Sequence, residues 1–345
     1  MEHIAIDLGG KESQICVRSA DGKIVEETRH STAKLASYLK QRPPSRVVLE
    51  TSSEAFKIAD AALQAGHEVR VVPATLTRTL GVGSRGIKTD RRDAQLLSEV
   101  STRIDLPSVH VPSSVSRQRK ARCTAREALT TARTQLINTV RGWLRTEVQR
   151  IMPGCPNSFP KRVRVKCLTR PEGLPGFIEG VLVAIEALSQ QIGAADKELR
   201  QLADSDPICQ RLMSVPGVGP VTSIRFVAAI DDVARFPNAH AVENYLGLVP
   251  GENSSSLRKQ RTGITKAGPP RVRWALAQAA WSLRLARKLD PIVLWAKQVE
   301  ARRGKQIAMT ALARRLAGVL YAIWRDGTRY EPSRLLPHQM KGHAA

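Results

Sequence analysis

The sequence predicts an α/β domain followed by a mostly helical region, and three observations carry that prediction. Short apolar runs alternate with helical patterns over the N-terminal third, a heptad series occupies the middle, and closely spaced helical patterns fill the rest. No internal repeat is visible.

Residues 3–8 (His-Ile-Ala-Ile-Asp-Leu) form a short apolar strand that ends at Gly9-Gly10. Residues 13–19 and 23–28 alternate in strand fashion around the turn at Asp21-Gly22. A helix over 31–41 stops before Pro43-Pro44, and Arg46-Val-Val-Leu-Glu50 reads as a buried strand. A second helix over 53–65 ends at Gly66, and Glu68-Val-Arg-Val-Val-Pro73 is a further strand. Strands separated by helices need crossovers, so the sheet is expected to be partly parallel. A glycine-rich basic loop over 81–87 precedes a helix from Thr89 to about Ile104, and Pro107 and Pro112 mark a boundary.

In the middle, Leu129, Ala132, Leu136, Val140 and Trp143 recur at spacings of three and four. Ile178, Val181, Ile185, Leu188, Ile192, Ala195, Leu199 and Leu202 do so more regularly, which is a coiled-coil seam. A Pro/Gly/basic stretch over 153–176 separates the two. Such helices can fold back on each other or pair with a second subunit, and the pattern does not choose. From Pro207 onward, Pro216-Gly-Val-Gly219 has the form of a helix-hairpin-helix turn, followed by helices over 220–230, 239–246, 271–289, 291–301 and 305–325. At a helix start this turn can present N–H groups to a phosphate, or serve only as a tight connector. Trp274, Trp281, Trp295 and Trp324 sit at apolar helix positions and are expected in the core. The expected divisions are 1–110, 111–206, 207–333 and a polar tail, 334–345.

Charge narrows the function. Fifty-four Lys and Arg against 31 Asp and Glu leave a formal charge of +23 on 345 residues. Such an excess is matched by a polyanion, and nucleic acid releases counterions on contact. Aromatic residues make up only 4%, which argues against recognition built mainly on base stacking. No unbroken apolar run reaches the ~18 residues of a membrane helix, and the start lacks the basic segment of a signal peptide. A cytoplasmic, nucleoid-associated protein without membrane contact is the expectation. Cys16, Cys123, Cys155, Cys167 and Cys209 are scattered, without a CxxC pair, which speaks against a disulfide framework or a zinc site.

The carboxylates suggest chemistry. Asp7 and Glu50 each end a strand, where α/β sheets place their ligand crevice. Asp90 and Asp93, in Lys88-Thr-Asp-Arg-Arg-Asp-Ala94, are three apart on one helix face. Together they can hold two Mg²⁺ ions that clamp a phosphodiester. Each also has an ordinary explanation, as turn former or as helix cap at Thr89-Asp90.

Ala5-Ile-Asp-Leu-Gly-Gly-Lys11, Leu49-Glu-Thr-Ser52 and the Lys88–Ala94 segment resemble the DEDD motif of a family of insertion-sequence transposases. The resemblance implies a RuvC-like N-terminal domain of the RNase H fold, with Asp7, Glu50, Asp90 and Asp93 as metal-binding acids. Gly247-Leu-Val-Pro250, a serine triplet and Gly263-Ile-Thr-Lys266 resemble the C-terminal domain of the same family. There a serine forms a covalent phosphoserine with cleaved DNA. Aligned on Pro250 it is Ser255, with Ser254 as second choice, and Ser256 stands where glycine is usual. Pro216–Gly219 and the block from Gly304 to Tyr330 extend the likeness over residues 3–331.

The resemblance further implies donor and target DNA, a structured noncoding bridge RNA, Mg²⁺ and a homo-oligomer, dimer or tetramer. Arg85, Lys88, Arg91, Arg92, Arg258, Lys259, Arg261, Lys266 and Arg271 are the expected phosphate contacts. Two other readings remain: a hydrolytic, metal-only nuclease of the junction-resolvase kind, and a non-catalytic nucleic-acid-packaging protein.

Overall fold

A computed structural model describes residues 1–79, 89–168, 172–252 and 261–335. The chain forms two compact units, Met1–Pro112 and Ser113–Ala345.

The first unit contains strands β1 (His3–Asp7), β2 (Glu12–Arg18), β3 (Ile24–Ser31), β4 (Arg46–Glu50) and β5 (Glu68–Val72). Its helices are α1 (Leu35–Lys40), α2 (Ala55–Gln64), α3 (Ala74–Thr79) and α4 (Asp90–Arg103). The strands make one mixed sheet in the order β3-β2-β1-β4-β5. Short turns at Gly9-Gly10 and Asp21-Gly22 make β1, β2 and β3 antiparallel, whereas β4 and β5, reached through helices, run parallel to β1.

Both faces of the central strands are covered. Ile4, Ile6, Val47 and Leu49 pack with Leu35 and Leu39 of α1 and Ile58 and Ala62 of α2. Ala5, Val48 and Val72 face the other way, against Leu97 of α4 and Leu106. That two-sided burial is why β1 and β4 read as unbroken apolar runs. Two boundaries differ from expectation. β3 continues to Ser31, and α1 starts only at Leu35, after a 3₁₀ turn at Thr32–Lys34. The Thr32 hydroxyl, bonded to the Gly9 carbonyl (2.7 Å) and to Ser13 Oγ (2.8 Å), holds that segment to the sheet instead.

The second unit consists of α5 (Ser114–Thr146), α6 (Phe159–Cys167), α7 (Gly176–Ser205), α8 (Pro207–Leu212), α9 (Pro220–Ile230), α10 (Ala239–Tyr245), a hairpin of β6 (Pro250–Glu252) and β7 (Arg261–Ile264), α11 (Pro270–Ala286), α12 (Pro291–Arg303) and α13 (Lys305–Asp326). Helices α5 and α7 pack against each other within the chain. In α7, Ile178, Ile185, Ile192 and Leu199 are buried at a spacing of seven, while Val181, Leu188, Ala195 and Leu202 are half-buried. On α5, Ile137, Val140 and Leu144 are buried, so of the expected series Val140 is buried while Leu129, Ala132, Leu136 and Trp143 are half-buried. The Pro/Gly/basic stretch contains α6, whose Phe159, Val163 and Cys167 line up every four residues against Ile178 and Leu182 of α7.

Helices α8 to α13 share one core with Cys123, Leu199 and Ala203. Trp281, Trp295 and Trp324 pack on it as expected. Trp274 does not: it is 59% exposed. On α11 it lies on the side opposite Val272, Ala275, Leu276 and Ala279, which take the core face. The expectation of no membrane-length apolar segment also needs correction. Among the described residues, α7 and α13 are long and apolar enough to cross a membrane by length and composition, because Ile, Val, Leu and Ala dominate each without forming an unbroken run. Helix α13 buries most of its apolar face inside the unit, whereas α7 buries Ile178, Leu182, Ile185, Ile192 and Leu199 and leaves Phe177 and Val183 exposed.

Candidate active site

The parallel pairing of β1 with β4 sets Ile6 opposite Leu49, so Asp7 and Glu50 follow side by side at the C-terminal ends of neighbouring strands. Adjacent strands are ~4.8 Å apart. Both residues share the alternation of Ala5 and Val48, on the face that α4 covers. The turn after Asp7 is closed by Gly9, where a β-carbon would overlap the Glu12 carbonyl.

Helix α4 begins with the cap that its sequence suggests: the Thr89 hydroxyl accepts from the Arg92 N–H at 3.4 Å. Asp90 and Asp93 lie in its first turn, where a carboxylate is favoured by the helix dipole. His3 Nδ1 and Ser101 Oγ are 2.8 Å apart, which places the last turn of α4 over the start of β1. Asp93 precedes Ser101 by eight residues and Asp7 follows His3 by four. At ~1.5 Å per helical residue and ~3.3 Å per strand residue, both steps span about 12–13 Å. Since Leu97, one turn on from Asp93, touches the Ala5 and Val48 cluster, the helix runs antiparallel to β1 and brings Asp93 to the end where Asp7 and Glu50 sit.

Asp93 is 5% exposed, Asp7 and Glu50 are half-buried, and Asp90 is exposed at the rim. Among the described residues, no group of three or more His, Cys, Asp or Glu is close enough to hold a metal ion. The donor set is nonetheless all hard oxygen, the kind that Mg²⁺ or Mn²⁺ takes.

The expected phosphate contacts divide. Arg92 and Lys266 are exposed. Arg91 is paired with Glu27, its Nη2 lying 2.5 Å from Oε2, and Arg271 is paired with Glu127. Arg85, Lys88, Arg258, Lys259 and the Arg261 side chain lie outside the described residues, as do Ser254, Ser255 and Ser256. The hairpin that flanks the serines is rooted by close backbone contacts. Gly247 has φ +67°, and a β-carbon there would stand 2.6 Å from the Ala267 nitrogen. Arg273 donates to the Leu246 carbonyl at 3.1 Å and to the Gly268 carbonyl. Neither Glu27 nor Arg273 had any signal in the sequence, since each acts on residues that only folding brings near.

The turn at Pro216–Gly219 has a packing role. Gly217 has φ +88°, and a β-carbon would lie 2.6 Å from the Ala279 carbonyl of α11. Gly219, which starts α9, faces open space.

Comparison with known proteins gives first the class. A DEDD transposase model of the IS110 type matches residues 4–148, and a model described as Transposase IS116/IS110/IS902 family matches residues 209–291. A putative transposase y4qE of Sinorhizobium fredii is 30% identical over 301 residues, covering 76% of this chain and 70% of the relative. The transposase for insertion sequence element IS1111A of Coxiella burnetii is 27% identical over 326 residues, covering 93% and 88%. That for element IS1328 of Yersinia enterocolitica is 24% identical over 334 residues, covering 94% and 97%. The chain belongs to the IS116/IS110/IS902 family of insertion-sequence transposases.

Proposed function

We propose that this transposase cuts and rejoins donor and target DNA with Asp7, Glu50, Asp90 and Asp93 around divalent cations, taken to be Mg²⁺, and with Ser255 as nucleophile. The observation that carries the reading is the placement of Asp7 and Glu50 at neighbouring strand ends on the face that α4 covers, with Asp93 in the first turn of that helix, in a chain of net charge +23. An antiparallel β1–β3 meander joined to parallel β4 and β5, with α4 packed on the sheet, supports the RuvC-like, RNase H assignment. Bound divalent cations supply charge neutralisation at the scissile phosphate. The carboxylates orient those cations, and the buried Asp93 restricts water on one side.

In the serine step, Oγ gives up its proton and bonds to phosphorus, the bridging P–O bond to the departing strand breaks, and the released sugar oxygen takes up a proton in turn. The phosphoserine keeps the bond energy for rejoining. Ser254 and Ser255 lie within the stretch 209–291 that the family model matches, and their role rests on the resemblance of the motifs. A bridge RNA that pairs with both DNAs, and a dimer or tetramer, belong to the same reading and rest on the resemblance of the motifs.

The test is a denaturant-resistant protein–DNA adduct under conditions of strand exchange. Ser255→Ala abolishes adduct and exchange, or Ser254→Ala does so if that hydroxyl attacks, while Asp93→Asn abolishes both in either case. A metal-only nuclease keeps cutting after either serine change, and a packaging protein is indifferent to all three. Exchange without any adduct sinks the serine step. Copurifying RNA, sequenced from the native host, tests the guide. DNA affinity falls ~10³–10⁵-fold between ~50 and ~200 mM salt if about 6–10 phosphates are contacted.

A further inference from the structure

The flank of α4 opposite its carboxylates is tied to the sheet by a contact that the site above does not use. Glu27, on the edge strand β3, accepts from Arg91 Nη2 at 2.5 Å and Nε at 3.2 Å through one oxygen. Its other oxygen accepts from the Gln95 amide. At about 100° per residue, Arg91, Gln95 and Ser98 form one stripe of the helix, and Asp90, Asp93 and Leu97 form another roughly 130° away. Ser98 continues the first stripe, donating to Cys16 Sγ at 3.2 Å and accepting from Arg18 Nε at 2.9 Å, both on β2. His3 and Ser101 secure the far end on β1. Successive turns of α4 are therefore tied to three successive strands, and Glu27 supplies the tie at the turn that bears the acids.

The size of the effect follows from geometry. A side-chain tip ~5–6 Å from the helix axis moves about 2–3 Å when the helix rolls by ~25°. Metal–ligand distances are held to within ~0.2 Å. A roll of that size is thus fatal to a metal site. The Arg91 and Gln95 bonds also hold the Glu27 carboxyl below the usual glutamate range, so it stays ionised at neutral pH.

We infer that Glu27 fixes the roll of α4 and so is a positioning residue for Asp90 and Asp93, with Arg91 serving this clamp rather than binding nucleic acid. The inference rests on the metal reading proposed above and deepens it. It assigns Arg91 away from the phosphate contacts that its charge suggests.

The experiment measures Mn²⁺ binding to the full chain by calorimetry without DNA, and DNA affinity against salt without metal. Glu27→Ala and Arg91→Ala are each expected to weaken Mn²⁺ binding about 10-fold, the low end of what outer-shell partners contribute. The double variant should be no weaker than either single one. Glu27→Gln, which keeps an amide oxygen for Arg91, should recover part of the loss. The slope of log affinity against log salt should match wild type in both single variants. A slope reduced by ~0.9 in Arg91→Ala alone means that Arg91 holds a phosphate and overturns the inference. So do additive losses, or unchanged Mn²⁺ binding in both single variants. Should Glu27→Ala fail to fold, as judged by its melting curve, Arg91→Ala tests the same contact from the exposed side. Asp93→Asn separates the two levels: if it binds Mn²⁺ like wild type, the metal reading fails whatever Glu27 does. If it loses binding while Glu27→Ala and Arg91→Ala keep it, only the clamp fails.

Discussion

Glu127 of α5 accepts a hydrogen bond from the Arg225 guanidinium of α9 across 2.6 Å, and Arg225 also donates to the Cys123 carbonyl across 3.1 Å. Arg225 is 5% exposed, and burial lowers its pKa from the usual arginine value. The same carboxylate pairs with Arg271 at the start of α11, so one glutamate links three helices. Removing it leaves a buried cation without its counter-charge. Breaking a fully buried pair in this way costs ~3–5 kcal/mol. Because the Glu127 side chain is 29% exposed and water can enter, Glu127→Ala is expected to destabilise the second unit by about 2–3 kcal/mol. Urea unfolding followed by tryptophan fluorescence measures it, and a loss below ~0.5 kcal/mol would show the pair to be a surface contact.

The two glycines of the helix-hairpin-helix turn should behave differently. Gly217→Ala places a methyl 2.6 Å from the Ala279 carbonyl at φ +88°, so the turn and α11 must separate. A left-handed conformation alone costs ~1–2 kcal/mol, and about 2–4 kcal/mol in all is expected once the overlap is relieved. Gly219→Ala meets nothing within 4 Å and should cost no more than ~1 kcal/mol, the worth of a helix start. A weakened DNA affinity in Gly219→Ala, with stability kept, would then show that the start of α9 approaches a phosphate. Equal stability losses would contradict the packing described for Gly217.

Tyr330 anchors the segment after α13. Its N–H donates to Ser214 Oγ at 2.8 Å, and its hydroxyl donates to the Asp290 carboxylate at 2.8 Å. Tyr330→Phe removes a bond to a charged acceptor, worth ~1.5–3 kcal/mol. Burial, followed by the Asp290 bond, pushes the phenol well above the ordinary tyrosine range. A raised folded-state pKa contributes stability that is fully present below the unfolded tyrosine value of about 10 and is lost as pH climbs toward the folded one. Wild type should therefore lose its advantage over Tyr330→Phe only above ~pH 10, in melting curves taken across pH. A constant difference between the two up to pH ~12 would refute the assignment.

Much of the first unit was readable because its strands are short, apolar and separated by glycine turns. Strand ends at Asp7 and Glu50, the Thr89 cap and the start of α4 all came from local pattern. The β6–β7 hairpin was missed, since three residues around Pro250-Gly251 carry too little alternation to register as a strand. Helix α6 was hidden by Pro153, Gly154 and Pro156, which lie before the helix rather than inside it. Of the α7 series every second residue is buried, whereas of the α5 series only Val140 is, because alanines and threonines along α5 mark no face strongly.

The sequence alone determined what is local or summed over the chain: the order of elements in the first unit, the positive charge, the carboxylates at strand ends and at a helix start, and the motifs that resemble a transposase family. Tertiary structure decided the partners. It gave Arg91 to Glu27 and Arg271 to Glu127, turned Trp274 outward, set Gly217 against α11, and laid α4 antiparallel to β1 with its first turn toward the strand ends of Asp7 and Glu50. Side-chain periodicity says which face of an element is apolar. What that face and its opposite flank meet is settled by contacts between residues far apart in the chain, which no local pattern encodes.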